Sequence, residues 1–370
     1  MKKNTLKLTA LTLALSLLFC GCGAKDTDSS PSASPSASAT RTVTDMAGRS
    51  VEIPQTVNTV ATLGATARIL TYAGCADKIT GLTELEMKGD AGMPYAYVNA
   101  EHFIKQTAVA SGGKSNVNYE EAIATLNPDV IFINFSDASE VNTLQEKTGI
   151  PVVALSFNGI FNDGVNSAIT LVGEVMGTQE RCKEVVDAMA EWQKDLNDRT
   201  KNLANADKPS VYAGAVSFAG GHGIEGTYAK YPPFVAINAK NVVDETGEDG
   251  SLLIEKEKLV AWDPDVIFLT PANMNLVNED YKANPSFYDN LKAVKNGQLY
   301  SQINYNYYGC NIELAIANAY YAGSVLYPEQ FKDINIEEKA DEIFKVMLGQ
   351  PYVSVLKDNN NYFGKMTIGA

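Results

Sequence analysis

The sequence predicts an α/β protein of two similar lobes joined by one long connecting helix, with a cleft between the lobes. Three observations carry that expectation. First, Glu121-Ala-Ile-Ala-Thr-Leu-Asn-Pro-Asp-Val-Ile-Phe-Ile and Glu257-Lys-Leu-Val-Ala-Trp-Asp-Pro-Asp-Val-Ile-Phe-Leu repeat one pattern, their glutamates 136 residues apart. Each reads as a short helix, a Pro-Asp stop and a wholly apolar strand suited to a sheet covered on both faces. The residue before each proline is expected to be extended. Second, Cys182, Val185, Val186, Met189, Trp192 and Leu196 recur at three- and four-residue steps, one face of a helix over 178–203. Thr178 is its expected N-cap, Glu180 suits its positive end, and at 1.5 Å per residue it spans roughly 39 Å, enough to bridge two lobes. Third, strands and helices alternate on both sides of that helix.

In order, residues 1–21 are a leader: Lys2, Lys3 and Lys7 precede an apolar run too short for a comfortable membrane span, ending Phe19-Cys20-Gly21-Cys22. This resembles a bacterial lipoprotein signal, which makes Cys22 the lipidated residue and places the protein outside the cytoplasm on the cell membrane. Residues 22–41, rich in Ser, Ala and Pro, read as a flexible tether. The N-terminal lobe (42–177) opens with two strands turning at Ala47-Gly48. Strands at 57–62, 79–82, near Val109, at 130–133 and at 152–155 follow, with a helix from Arg68 to Ala73. The C-terminal lobe (204–370) repeats the scheme with strands at 210–217, 266–269 and 298–301, then helices at 311–326 and 336–348.

Composition and motifs exclude more than they assign. A net charge of −14, more negative still once the lysine-bearing leader is gone, argues against nucleic acid. Cys75, Cys182 and Cys310 match no metal spacing and read as buried thiols. With only His102 and His222, no multi-histidine cage can form, and no protein metal or cofactor is expected. Gly221-His-Gly-Ile-Glu-Gly226 imitates a dinucleotide fingerprint, but Pro232-Pro233 spoils the helix such a site needs. Gly112-Gly-Lys-Ser115 lacks the first glycine of a phosphate loop and reads as a turn. No hydrolase elbow or zinc-protease motif occurs.

Tyrosines in loops are the positive signal. Tyr95 and Tyr97, Tyr228 after His222, and Tyr305 and Tyr307 fall in segments expected to join strand to helix, where α/β lobes bind ligands. Each supplies a flat apolar face and one hydroxyl, suited to a chelate or macrocycle. His222 sits among glycines that let a ligand approach the backbone. Arg68, near a helix start, would welcome an anion or else pair with a surface carboxylate.

The opening Val43-Thr-Asp-Met-Ala-Gly-Arg49, a glutamate seven residues before each Pro-Asp, and Ala293-Val-Lys-Asn-Gly-Gln-Leu-Tyr300 resemble the substrate-binding proteins for iron complexes and cobalamin that serve ABC importers. The resemblance covers roughly 42–357. It implies capture of a metal complex such as a siderophore, haem or cobalamin, and delivery by a monomer to a permease with two transmembrane subunits. Glu121 and Glu257 would dock onto basic residues of that permease. Rival expectations are the same fold binding a small oxyanion (molybdate or tungstate), a cell-surface enzyme, or a ligand sensor without a transport role.

Overall fold

A computed structural model describes residues 39–114, 116–135 and 137–369; the leader, Cys22 and the tether up to residue 38 lie outside the described residues. The chain from Ala39 onward forms one compact unit. It opens with the antiparallel pair β1 (Thr40–Thr44) and β2 (Ser50–Pro54), so Thr40 and Arg41, the last two residues of the expected tether, belong to a strand. Asp45 closes this hairpin, its carboxylate accepting from Arg49 Nε (2.9 Å) and from the Ala154 amide (3.1 Å).

The N-terminal lobe is a five-stranded parallel sheet. Its strands are β3 (Val60–Leu63), β4 (Ile79–Thr83), β5 (Thr107–Ala110), β6 (Val130–Asn134) and β7 (Val152–Leu155), in the order β5-β4-β3-β6-β7. The C-terminal lobe has β8 (Ser210–Gly214), an antiparallel ribbon of β9 (Gly226–Ala229) with β11 (Gly250–Leu253), β10 (Lys240–Asn241), β12 (Val266–Leu269) and β13 (Leu299–Ser301). Its parallel sheet runs β10-β8-β12-β13. Both sheets reverse strand order beside their first strand, at β3/β6 and β8/β12, the crevice where such sheets bind ligands.

The apolar strands behave as their lack of alternation requires. Val130 and Phe132 face the central core while Ile131 and Ile133 face an outer cluster of the first lobe. Val266 and Phe268 likewise face the central core, with Ile267 and Leu269 in an outer cluster of the second lobe. Both sheet faces are therefore covered, and the central core runs through both lobes without a break.

The connecting helix is Gln179–Thr200, about 33 Å long, burying Cys182, Val185, Met189, Trp192 and Leu196. Thr178 holds the N-cap position but makes no side-chain cap; its hydroxyl lies between the buried thiols of Cys75 (3.5 Å) and Cys182 (3.8 Å). Helices Ile312–Leu326 and Ile336–Leu348 form as expected. The latter belongs to neither lobe alone, because the adjoining Tyr352 donates to Ala91 O (2.9 Å) and Trp192 Nε1 donates to Glu342 (3.3 Å).

The repeated Pro-Asp stop differs in one respect from expectation. Asn127 (φ 48°, ψ 56°) and Asp263 (φ 38°, ψ 64°) are left-handed, not extended. Proline disfavours the right-handed helical region in the residue before it, and a left-handed C-cap satisfies that constraint too. Its amide closes the helix on Ile123 O or Leu259 O, and Asn and Asp tolerate this conformation.

Candidate functional site

Loops from the C-terminal ends of both parallel sheets converge on a cavity of about 600 Å3. Leu85, Gly113 and Lys114 come from the first lobe, following β4 and β5. Ser217 to Gly220, following β8, and Asn304 to Gly309, following β13, come from the second, all but Tyr305 of those stretches lining the wall. Another cavity, about 350 Å3, lies against the connecting helix at Gln193 and Asn197, closed by Ile160 and Phe161 of the loop after β7 and by Lys230, Pro232, Val235 and Ala236.

The backbone here is bent to fit. Gly112 (φ +76°) passes so close to β4 that a Cβ would sit 2.9 Å from Thr83 Oγ1. Ala219 and Tyr308 hold φ of +52° and +51°, a conformation that costs non-glycine residues about 1–2 kcal/mol and that clusters at functional loops. Gly309 (φ +83°) leaves room for Arg68, whose Nη1 would stand 3.2 Å from an added Cβ.

The expected site residues part company at this wall; of the seven, Tyr307 alone lines the cavity. Arg68 is fully buried on the helix Ala67–Tyr72. Its Nη2 donates across the lobes to Tyr308 O (2.8 Å) and Asn311 Oδ1 (3.2 Å), and its guanidinium stacks 4.6 Å over Tyr95. Arg68 thus supports the cleft loop from behind, neither an open anion site nor a surface ion pair. Burial alone would lower its pKa, but Tyr95, Tyr72 and Glu313 around it raise it, so the charge is kept.

Tyr95 and Tyr97 lie on the helix Pro94–Val98, not in a loop. Tyr95 is fully buried and donates to Glu86 Oε1 (2.9 Å), while Tyr97 sets its ring edge-on to Tyr352 at 5.6 Å. Tyr228 lies on β9, its ring 5.8 Å from Tyr231, and the buried Tyr305 packs 5.7 Å from the same ring. His222 stacks on Phe218 at 4.1 Å, and its Nε2–H donates to Phe218 O (2.8 Å). It braces a cavity-lining ring.

Residues the sequence did not single out complete the wall. Lys114 is its one basic side chain, and no Asp or Glu among the described residues lines it. Ser217, Asn304 and Asn306 add neutral polar groups, and Phe218 and Tyr308 join Tyr307 in giving aromatic surface. Such a pocket suits a compact ligand with negative charge and an apolar or planar part. Among the described residues, no group of acidic, His and Cys side chains could hold a metal ion.

Glu121 and Glu257 are exposed in the first turns of the helices Glu120–Leu126 and Lys256–Trp262. A helix that feeds a parallel strand runs against it, so both glutamates stand towards the sheet edges that bear the cleft loops. Neither joins an ion pair among the described residues, whereas their neighbours Glu120 and Lys256 pair with Lys147 (2.8 Å) and Asp280 (2.5 Å).

A family model described as periplasmic binding protein matches residues 59–302. The molybdate-binding protein MolA of Haemophilus influenzae is 25% identical over 330 residues, covering 82% of this chain and 90% of that one. The Fe(3+)-citrate-binding protein YfmC of Bacillus subtilis is 27% identical over 205 residues, covering 53% and 59%. Among solved structures, a periplasmic solute binding protein from Veillonella parvula superposes with a TM-score of 0.71 at 18% identity, covering 87% and 97%. MolA bound to molybdate superposes with a TM-score of 0.66 at 22% identity, covering 84% and 99%.

Proposed function

This chain belongs to the periplasmic binding protein family, and from that premise we propose that it captures a compact anionic metal complex between its lobes for an ABC permease. Such proteins are the substrate-binding components of ABC transporters. The observation that carries the cargo reading is the wall of the cleft: one lysine and no carboxylate, faced by three aromatic rings and two carboxamides. A ferric chelate of the citrate or siderophore class matches that mixture, its net charge meeting Lys114 and its organic skeleton meeting Phe218, Tyr307 and Tyr308. Of the residues first expected to bind it, Tyr307 makes direct contact, while Arg68 and His222 hold the wall in place.

A second reading, molybdate, is favoured by the extent of the likeness to MolA, which spans 82% of this chain. Titration calorimetry on the purified protein with ferric citrate, ferric siderophores, haem, cobalamin and molybdate separates the two. The expected result is tight binding of a ferric complex. Tight molybdate binding with silence from every iron complex would overturn it.

Delivery requires a membrane address and a dock. Lipidation at Cys22 supplies the first in this reading, and Cys22→Ser is expected to move the protein from the membrane fraction into the medium. Glu121 and Glu257 supply the second: complementary charge orients an encounter more than it adds affinity. Reversing both to Lys is expected to abolish uptake while leaving ligand affinity intact.

A further inference from the structure

Six large apolar side chains stand exposed among the described residues: Tyr97, Ile104, Val117, Val235, Leu253 and Val260. Taken singly, such residues are normal on any surface. Three of the six, however, flank the two glutamates of the repeat. Val117 is 59% exposed four residues before Glu121, and Leu253 is 58% exposed four residues before Glu257. One turn after each glutamate, on the same helical face, stand Ala124 and Val260, both exposed. The order apolar, glutamate, apolar therefore recurs at one spacing in both lobes.

Neither leading residue is on slack chain. Val117 is clamped by two bonds with Ser111, its amide donating to Ser111 Oγ (2.9 Å) and its carbonyl accepting from the Ser111 amide (3.0 Å). Leu253 ends β11, paired with Gly226 of β9, and the next amide, of Ile254, donates to Glu225 O (3.1 Å). Hydrogen-bonded backbone presenting bare apolar side chains four residues before a carboxylate that joins no ion pair among the described residues makes a contact already organised for a partner, with little ordering left to do on binding.

We propose that Val117 with Ala124, and Leu253 with Val260, are the apolar anchors of two equivalent docking contacts, each bracketing its glutamate, made on the two transmembrane subunits of the permease. The inference rests on the proposed docking role of Glu121 and Glu257. A duplicated patch fits a partner whose own two halves are related, each offering a basic residue set in apolar surface. The charge pair orients the encounter, and burying the flanking side chains excludes water around it. Leu exceeds Val and Val exceeds Ala, so the C-terminal lobe buries more apolar surface and makes the stronger contact.

Photo-crosslinking in membranes containing the full-length protein and its transporter tests this without knowledge of the cargo. A benzophenone side chain is placed in turn at positions 117, 253, 121 and 257, with position 104, exposed but outside the repeat, as control. The expected result is crosslinks to transmembrane subunits from the four repeat positions and none from 104. Leu253→Ser is expected to cut the yield from position 257 about tenfold, and Val117→Ser that from position 121 about threefold, with unchanged melting temperature. Crosslinks from 121 and 257 but not from 117 and 253 would overturn the anchors and leave the docking glutamates standing. Capture of a second copy of this chain, yields indifferent to the two serine variants, or no transporter crosslink anywhere would overturn the inference, the last of these together with the docking reading.

Discussion

Lys114 and Arg68 divide the work that a single cation was expected to do. Lys114 is exposed on the cavity wall, so Lys114→Ala is expected to weaken binding of an anionic ferric complex about tenfold while leaving the melting temperature unchanged, as calorimetry would show. Arg68→Met should act through the fold instead. It strands the Tyr308 carbonyl and Asn311 Oδ1 and removes the positive charge that offsets the buried Glu86 and Glu313, costing about 3 kcal/mol of stability or more. Glu86 adds a pH signature. Burial pushes its carboxyl pKa up, against the lowering effect of hydrogen bonds from Thr83 and Tyr95. A raised folded-state pKa contributes stability in acid that is lost as pH rises through that pKa. Glu86→Gln carries no charge and keeps a carbonyl oxygen for one of the two hydroxyls, its amide N–H meeting the other, so its melting temperature should gain on wild type over the pH range above the ordinary glutamate pKa of about 4. A constant difference across that range would refute the assignment.

At the scale of elements, the structure gives the duplicated Pro-Asp a mechanical role. Asp129 Oδ2 accepts from the amides of Asn58 (2.7 Å) and Thr59 (3.1 Å), and Asp265 Oδ2 accepts from the Ser210 amide (2.8 Å). In each lobe the aspartate after the proline ties the start of one central strand to the approach of its neighbour. Asp129→Ala should therefore cost about 1–3 kcal/mol in urea unfolding by orphaning two amides, with ligand affinity preserved in the folded fraction. Elements of this kind are legible in sequence because one local pattern fixes them: apolar runs for β6 and β12, helical steps for Gln179–Thr200. The β9–β11 ribbon is not, since Gly226–Ala229 and Gly250–Leu253 carry no clean alternation and pair across twenty intervening residues. The cleft is only half legible. Tyrosines point to the loops after β13, yet Tyr305 turns into the core against Tyr231 while its neighbour Tyr307 faces the cavity. Which way a loop side chain turns depends on strained backbone at Ala219 and Tyr308 and on an arginine 240 residues away in sequence. Lys114 sits in the Gly112-Gly-Lys-Ser115 stretch that the sequence declines as a phosphate loop and reads as a turn, and only convergence of two lobes makes that turn a wall.

For the whole molecule the question is how far the lobes move. The connecting helix alone argues for a stiff joint, and contacts across the cleft floor add to it. Asn311 Nδ2 donates to Gly92 O (3.2 Å) of the first lobe as well as to Tyr305 O (3.1 Å) and Tyr307 O (3.2 Å), while its Oδ1 receives Arg68. Tyr72 of the first lobe donates to the buried Glu313 of the second, and one apolar core runs beneath both sheets. A hinge protein opens by changing a few loop dihedrals; here opening would have to break buried hydrogen bonds and expose that core. Solution X-ray scattering of the wild-type protein should accordingly give the same radius of gyration with and without saturating ligand. Asn311→Ala removes the side chain on which four of these bonds depend, so its ligand-free form should scatter as a wider particle that contracts on binding. Contraction of the wild type by as much as the variant would mean that the cross-lobe bonds form only after the ligand arrives, and that the cleft closes by a hinge after all.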